Sequence, residues 1–202
     1  RVQVEHRVSE LCYSLQFANP DDIDDEFTVD SIIELMVLLS RHGKRLPKPS
    51  RVRREGAAAE IRLNASDDSL KPHAGGVITD WSAPVEEEIR DDQGICLRNP
   101  DTDMFMHYYL AGAYDSNIAL ELTTGGDREE ALVRAARLLG AMKISGENLS
   151  TNLNFHYGLV NWLLGQNAQA RPSTNFSMAY LTMVGQIAKH ASDVDLNYAW
   201  SA

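Results

Sequence analysis

Three polar residues alternate along the first segment of the chain and could do acid–base chemistry together. In residues 1–6 the side chains of Arg1, Gln3 and Glu5 fall on one face of a β-strand, with successive members roughly 6.5–7 Å apart. A guanidinium and an amide in such a row can hold a small oxyanion, and a carboxylate beside them can accept its proton. An ordinary solvent-facing strand shows the same alternation, so the pattern alone fits both a catalytic row and a surface.

The segment Ala57–Asn64 has the alternation of a half-buried strand. Its polar and apolar side chains fall on opposite faces, Glu60, Arg62 and Asn64 on one and Ile61 and Leu63 on the other. We therefore predict a strand that carries Arg62 on its polar face. By itself the pattern fits both an arginine in a surface salt bridge and one that contacts a substrate, and the first arrangement is the more common.

Motifs of several other chemistries are missing from the sequence. It contains neither a GxGxxG nor a GxxxxGK[ST] phosphate-binding loop, and it lacks the GxSxG turn of many serine hydrolases. None of the six histidines has a second histidine four residues away, and Cys12 lies far from Cys96. The sequence therefore predicts no metal site in this chain and no disulfide framework.

The composition is that of an acidic globular protein. The 202 residues include 19 Lys plus Arg and 29 Asp plus Glu, a formal net charge of −10, and 44% are hydrophobic. This charge argues against a general nucleic-acid binder, because phosphate binding needs cationic surface. The apolar runs, such as 35–39, are far shorter than the roughly 20 residues of a transmembrane helix. We expect a cytoplasmic, reducing compartment, and because the chain starts without Met in a strand-like segment we expect a piece of a longer protein.

Local periodicity predicts the elements that position these residues. Strands are expected at 1–6, 57–64, 77–81 and 86–90. Helices are expected at 9–17, in the periodic segment that ends at Gly43, from the capping box at Asp127 to about Leu139, after Thr151, and at 176–191. The basic, proline-containing segment 41–54 is predicted to be an extended connector. Because strands come first and helices later, the sequence predicts the α+β class.

The first ten residues form a specific motif. Their sequence, RVQVEHRVSE, closely resembles the R-[ILV]-Q-V-E-H-x-V-[TS]-E motif of biotin carboxylases, the ATP-grasp component of biotin-dependent carboxylases. Further segments resemble the motifs of this family in the same order, at 60–65, 70–78, 114–116, 126–131 and 144–152. The resemblance covers residues 1 to about 164.

The resemblance implies roles for the polar row at the start of the chain. Arg1 and Gln3 would hold bicarbonate together with the backbone N–H of Val4. Glu5 would be the base that deprotonates bicarbonate for attack on the γ-phosphate of ATP. The resulting carboxyphosphate would release CO2 and phosphate, and the phosphate would take the N1 proton of biotin.

The resemblance implies a second group of site residues further along the chain. Arg62 would stabilise the biotin enolate before it captures CO2, which suits a fixed guanidinium that faces developing oxyanion charge. Tyr114 and Asp115 would support this architecture rather than react.

The resemblance also implies a domain organisation. Residues 1–46 would be the end of an ATP-grasp domain, and 47–165 the biotin carboxylase C-terminal domain, a small antiparallel sheet packed with helices. Residues 166–202 would be a helical extension or linker toward a next domain. Most of the ATP site would lie upstream, so we expect this piece to be inactive alone.

The implied cofactors are biotin on a carrier domain, ATP and Mg2+. The implied partners are bicarbonate, the biotin carboxyl carrier domain, a carboxyltransferase domain and further copies of the same subunit, without nucleic acid or membrane. We expect the context of a multi-domain acyl-CoA carboxylase.

The chain departs from the family pattern at several points. Ser66 stands where Glu is usual, and Leu120 stands where a Lys is expected. Two extra residues precede Thr151, and the acidic stretch 20–26 looks enlarged. These departures indicate a divergent subgroup.

Two alternatives stay open. One is another ATP-grasp ligase that forms carboxyphosphate, such as carbamoyl phosphate synthetase, although the motifs after residue 60 argue against it. The other is a non-catalytic docking or dimerisation domain, in which 57–164 joins subunits and Glu5 and Arg62 are surface residues.

Overall fold

The structure is a computed structural model that describes residues 10–19, 21–22, 25–67, 70–72, 75–84, 86, 88–110, 116–170 and 173–192. Within those ranges, three small antiparallel sheets pack with four α-helices. This arrangement confirms the predicted α+β class. None of the helices in the described part of the chain is long and apolar enough to cross a membrane.

The elements follow one another in an order that mixes strands and helices. They are β1 Glu10–Ala18, β2 Glu26–Ser31, α1 Ile32–His42, a 3-10 turn Gly43–Arg45, β3 Ser50–Arg53, β4 Ala57–Asn64, β5 Val77–Ser82, β6 Ile89–Gln93, β7 Tyr108–Tyr109, β8 Asn117–Gly125, α2 Arg128–Ala141, β9 Lys143–Glu147, α3 Leu153–Gln166 and α4 Thr174–Ser192. The sheet orders are β2–β1–β3, β4–β8–β6 and β7–β5–β9. The strand predicted at 1–6 lies outside the described residues.

The helix predicted at 9–17 is wrong, because residues 10–17 belong to strand β1. β1 is the central strand of the first sheet and pairs with β2 on one side and β3 on the other. In this register Phe17 lies opposite Phe27, and the two rings stack with their centroids 5.4 Å apart. Partners on both sides satisfy the backbone of β1, and this tertiary pairing overrides a short helical pattern.

The helix predicted before Gly43 is confirmed as α1. The Oγ atom of Ser31 accepts the N–H of Ile33 at 3.2 Å, and Gly43 ends the helix with a φ of 55°. Within the described structure no residue of α1 is buried. The predicted connector at 41–54 is partly wrong, because its second half includes the paired strand β3.

Strand β8 is the buried centre of the second sheet, and no local pattern predicted it. Its residues 118–123 are all buried. A strand that is covered on both faces loses the alternation that marks a half-buried strand. β4 and β6 pair with β8 on its two sides, so β8 fixes the position of β4.

Helix α2 covers one face of this second sheet and begins at the predicted capping box. The Oδ1 atom of Asp127 accepts the N–H of Glu130 at 2.9 Å. In return the Glu130 carboxylate accepts the N–H of Gly126, one residue before the expected partner, at 2.6 Å. The Oγ1 atom of Thr123 in β8 donates to the carbonyl of Ala131 at 2.9 Å, which ties the helix to the central strand.

Helices α3 and α4 confirm the predicted helices after Thr151 and at 176–191, and they pack through aromatic rings. Trp162 of α3 stacks on Phe176 and Tyr180 of α4, with ring centroids 4.7 and 5.1 Å away. Gly158 makes the close approach possible, because a Cβ atom there would lie 1.9 Å from the Tyr180 hydroxyl oxygen.

Gly146 of β9 offers a test of the third sheet. A Cβ atom at this position would lie 1.6 Å from the Val77 carbonyl oxygen of β5, so only glycine fits the observed strand pairing. We expect Gly146→Ala to lower the free energy of unfolding by about 1–3 kcal/mol, the usual cost of overpacking. Urea unfolding measures this loss.

Gly94→Ala is the matched control, because a Cβ atom at Gly94 meets nothing within 4 Å. We expect it to leave the unfolding midpoint unchanged. Equal midpoints for the two variants would contradict the observed pairing of β5 with β9.

Candidate functional site

Arg62 lies on the polar face of β4, as the alternation predicted. Its neighbours Ile61 and Leu63 are 5% and 0% exposed and point into the core, whereas Arg62 is half-buried on the opposite face. The Nε atom of Arg62 donates to Oδ1 of Asn64 at 3.3 Å. Asn64, two residues along the same face, therefore helps to set the direction of the guanidinium.

The other predicted site residues lie outside the described part of the chain. Arg1, Gln3, Val4 and Glu5 precede its first residue, and both Tyr114 and Asp115 fall in the gap before β8. Their roles and their proximity to Arg62 stay predictions.

Leu120 lies directly opposite Arg62 in the pairing of β4 with β8. Directly paired residues of antiparallel strands share a face, with Cβ atoms roughly 4.5–5.5 Å apart. The sequence comparison with the family marked Leu120 only as a missing lysine. The register shows that this substitution places an aliphatic side chain, 5% exposed, beside the predicted catalytic arginine.

The backbone of β4 around Arg62 is held by the start of helix α3. The N–H of Asn152 donates to the carbonyl of Asn64 at 3.1 Å, and the N–H of Asn64 donates to Oδ1 of Asn152 at 2.8 Å. The Nδ2 atom of Asn152 donates to the carbonyl of Arg62 at 3.2 Å. The buried Asn152 thus pairs with β4 much as a neighbouring strand would.

His156, one helical turn after Asn152, contacts the same carbonyl. Its Nε2 atom lies 3.0 Å from the Arg62 oxygen and 3.0 Å from Asn152 Nδ2. The Arg62 oxygen only accepts and Asn152 Nδ2 only donates, so Nε2 donates to the carbonyl in one tautomer of the neutral ring and accepts from Asn152 in the other. Burial lowers the pKa of His156, and the hydrogen bond to the Arg62 carbonyl opposes that shift in part.

His156 belongs to none of the motifs identified in the sequence. A signal was present, because Asn152 and His156 are four residues apart and so share one face of a helix. Their common target, the Arg62 carbonyl, lies 94 residues earlier than His156 and is visible only in the folded chain.

A separate cleft of about 700 Å³ lies at the opposite end of β4 from Arg62. Its lining mixes both charge signs, with Arg53, Arg54 and Arg128 alongside Glu55 and Asp127. Arg62 does not line this cleft, so the two features are distinct. Among the described residues no group of three or more His, Cys, Asp or Glu side chains is placed to hold a metal ion.

No family model matches the sequence, but known proteins do. The chain is 29% identical over 160 residues to a biotin carboxylase of Pseudomonas aeruginosa, and 30% identical over 160 residues to biotin carboxylase 1 of Bacillus subtilis. The chain is homologous to part of biotin carboxylase. Each alignment covers 79% of this chain and 30% of the relative, so the chain spans about a third of the length of the biotin carboxylases that it matches.

A solved structure shows the same fold. The biotin carboxylase domain dimer of the 2-oxoglutarate carboxylase from Hydrogenobacter thermophilus, in complex with MgADP, ADP and bicarbonate, matches with a TM-score of 0.58 and 23% identity. The match covers 89% of this chain and 34% of that chain. The resemblance to biotin carboxylase stated from the sequence motifs is thereby confirmed at the level of the fold.

The lowered pKa of His156 predicts a pH dependence of stability in this biotin carboxylase homologue. The unfolded state takes up a proton as the pH falls below the ordinary histidine pKa of about 6.5, whereas folded His156 resists protonation. The contribution of His156 to the free energy of unfolding should therefore be fully present above pH 6.5 and should be lost as the pH falls toward 5. Over this range the residue contributes a slope of at most about 1.4 kcal/mol per pH unit. Urea unfolding at several pH values measures the slope.

We expect His156→Gln to remove this part of the pH dependence. His107→Gln, at an exposed histidine, is the matched control and should keep the slope of the unaltered protein. A His156→Gln variant with the original slope would contradict the inferred neutral state of the half-buried His156 ring.

Proposed function

We propose that this chain forms the C-terminal part of a biotin carboxylase that catalyses the ATP- and bicarbonate-dependent carboxylation of carrier-bound biotin. The observation that carries this proposal is the homology over 160 residues to biotin carboxylases. Arg62 supports it, because it projects from the polar face of β4 with its Nε atom held by Asn64.

The proposed role of Arg62 is to stabilise negative charge on the ureido oxygen of the biotin substrate. A guanidinium suits this task, because its charge does not titrate and its planar donors match an oxyanion. A donor that is already oriented before the reaction needs no reorganisation when charge develops. The hydrogen bond that Arg62 Nε donates to Asn64 and the bond that Asn152 at the start of α3 donates to the Arg62 carbonyl favour that orientation.

The proposed role of the N-terminal row is to bind and deprotonate bicarbonate. Arg1, Gln3 and the backbone N–H of Val4 would hold the anion, and Glu5 would take its proton. Tyr114 and Asp115 would support the site. ATP with Mg2+ would bind through residues of the complete protein that precede this chain, which fits the third of the relatives' length that the chain spans.

We propose a multi-domain acyl-CoA carboxylase in the cytoplasm as the context, with a carrier domain, a carboxyltransferase domain and further copies of the subunit as partners. The solved neighbour is named for a different acceptor, 2-oxoglutarate.

The molecule that finally accepts the carboxyl group can be identified directly. We expect the complete protein to transfer label from bicarbonate to an acyl-CoA, tested with acetyl-CoA and propionyl-CoA, and not to pyruvate or 2-oxoglutarate. Transfer to a 2-oxo acid alone would replace the proposed acyl-CoA context and leave the biotin carboxylase proposal intact.

A subunit-joining role is a second candidate, and a hairpin between β6 and β7 favours it. The N–H of Met106 donates to the carbonyl of Leu97 at 2.8 Å, which closes the hairpin. Its large apolar side chains Met104 and Phe105 are 67% and 57% exposed. Such exposure is typical of a protein–protein contact.

Arg62→Lys separates the catalytic proposal from a purely structural one. Lysine keeps the charge and loses the planar donors, so we expect biotin carboxylation by the complete enzyme to fall roughly 10²–10³-fold. Bicarbonate-dependent ATP cleavage should fall much less, because Glu5 and Arg1 are unchanged. Both rates are measured side by side.

Two further variants serve as comparisons for the rates of Arg62→Lys. Glu5→Gln should lower both rates, by ~10²–10⁴-fold, because it removes the proposed base. Arg137→Lys alters an exposed arginine that pairs with Glu86, outside the hairpin, and should change neither rate. Equal losses of the two rates in Arg62→Lys would overturn the role of Arg62, and near-normal rates in Glu5→Gln would overturn that of Glu5.

A further inference from the structure

We propose that Asn152 and His156 are positioning residues, which hold the backbone of Arg62 and Asn64 and so aim the Arg62 guanidinium. The inference rests on the proposed function, because it takes Arg62 as a residue that contacts the biotin substrate. Neither Asn152 nor His156 would contact the substrate itself.

The first support is the way β4 is paired on its two sides. The β8 side is a continuous antiparallel ladder from Ala57 to Asn64. On the other side, near Arg62, the contacts come from the first turn of a helix. Asn152 supplies a backbone N–H, a side-chain acceptor and a side-chain donor, and all three meet Arg62 or Asn64.

The second support is that two donors meet at a single carbonyl. The Nδ2 atom of Asn152 and the Nε2 atom of His156 lie 3.2 and 3.0 Å from the Arg62 oxygen. A carbonyl oxygen has two lone pairs, so it can accept both bonds at once. With both made, the peptide plane that follows Arg62 is fixed from two directions.

The third support is the link from these backbone hydrogen bonds to the Arg62 guanidinium. The backbone N–H of Asn64 donates to Asn152 and its carbonyl accepts from Asn152, while its side chain accepts a hydrogen bond from Arg62 Nε at 3.3 Å. Catalytic groups need to be held to within about 10–20° of their productive direction. A misplacement of about 1 Å can cost roughly 10²-fold in rate, even when its origin is remote from the reacting atoms.

The surroundings of His156 keep its imidazole ring in the neutral form. Its half-buried ring lies edge-on to Phe155, with the ring centroids 5.2 Å apart, and Phe155 in turn contacts Tyr180. Burial lowers the pKa of His156, so the ring is neutral near pH 7, and with its proton on Nε2 the ring donates to the Arg62 carbonyl. A glutamine could make the same donation, whereas a leucine could not.

The activity test compares His156→Leu with His156→Gln in the complete carboxylase. We expect His156→Leu to lower biotin carboxylation about 10–100-fold while bicarbonate-dependent ATP cleavage changes less than about 3-fold. His156→Gln should recover most of the loss. Asn161→Leu is the control, because Asn161 is an exposed residue of the same helix whose side chain donates to the carbonyl of Tyr157 in its own helix.

A contact test works without activity. Asn152→Ala removes the acceptor of the Asn64 N–H, so hydrogen exchange of the Asn64 amide, resolved by NMR, should become at least tenfold faster, with no change in Asn161→Leu. Asn152→Asp keeps that acceptor and loses the donor to Arg62, and it replaces Asn152→Ala if the alanine variant does not fold. For Asn152→Asp we expect unchanged exchange and a selective loss of biotin carboxylation.

The outcomes separate this inference from the proposed function. An enzyme that exchanges as expected but never carboxylates biotin would overturn the proposed function and leave the contact established. Unchanged exchange in Asn152→Ala, or a parallel fall of both rates in His156→Leu without recovery in His156→Gln, would overturn the positioning role.

Discussion

Burial of Ile61 and Leu63 against α2 commits Arg62 to the opposite face of β4. Side chains alternate along a strand, so a shift by one residue would bring the arginine into the core and expose two aliphatic side chains. Such a shift would expose side chains worth about 1.5–3 kcal/mol each and would also bury a charge. The apolar core of the second sheet therefore decides which face of the molecule can hold the proposed biotin site.

Hydrogen bonds at the start of α3 set the direction in which Arg62 leaves that face of β4. The core fixes the side of β4, but it does not fix the angle at which Arg62 leaves the strand. Asn152 and His156 supply three side-chain contacts to the backbone of Arg62 and Asn64. Buried polar groups without hydrogen-bond partners are costly. These contacts therefore favour this arrangement of β4 and α3 over arrangements in which the hydrogen bonds are broken.

The described residues supply one wall of the proposed site, the face of β4 that carries Arg62. The row formed by Arg1, Gln3 and Glu5 lies outside the described residues, and the homology of the chain to biotin carboxylases covers about a third of their length. Leu120 makes that wall differ from the family pattern, because a buried aliphatic side chain lies opposite Arg62 where the family has a lysine. The mixed-charge cleft at the other end of β4 is separate from this wall.

The sequence by itself determined the elements with one-sided burial or a clear cap: β4 with its polar face, α1 up to Gly43, α2 from Asp127, and the motifs that indicated biotin carboxylase. Tertiary structure decided the rest. β1 has a short helical pattern and becomes a strand because β2 and β3 pair with it, and β8 has no period because both of its faces are covered. The contact of His156 with Arg62 joins residues 94 positions apart, and spacing along the chain carries no information about hydrogen bonds that only the folded backbone brings within reach.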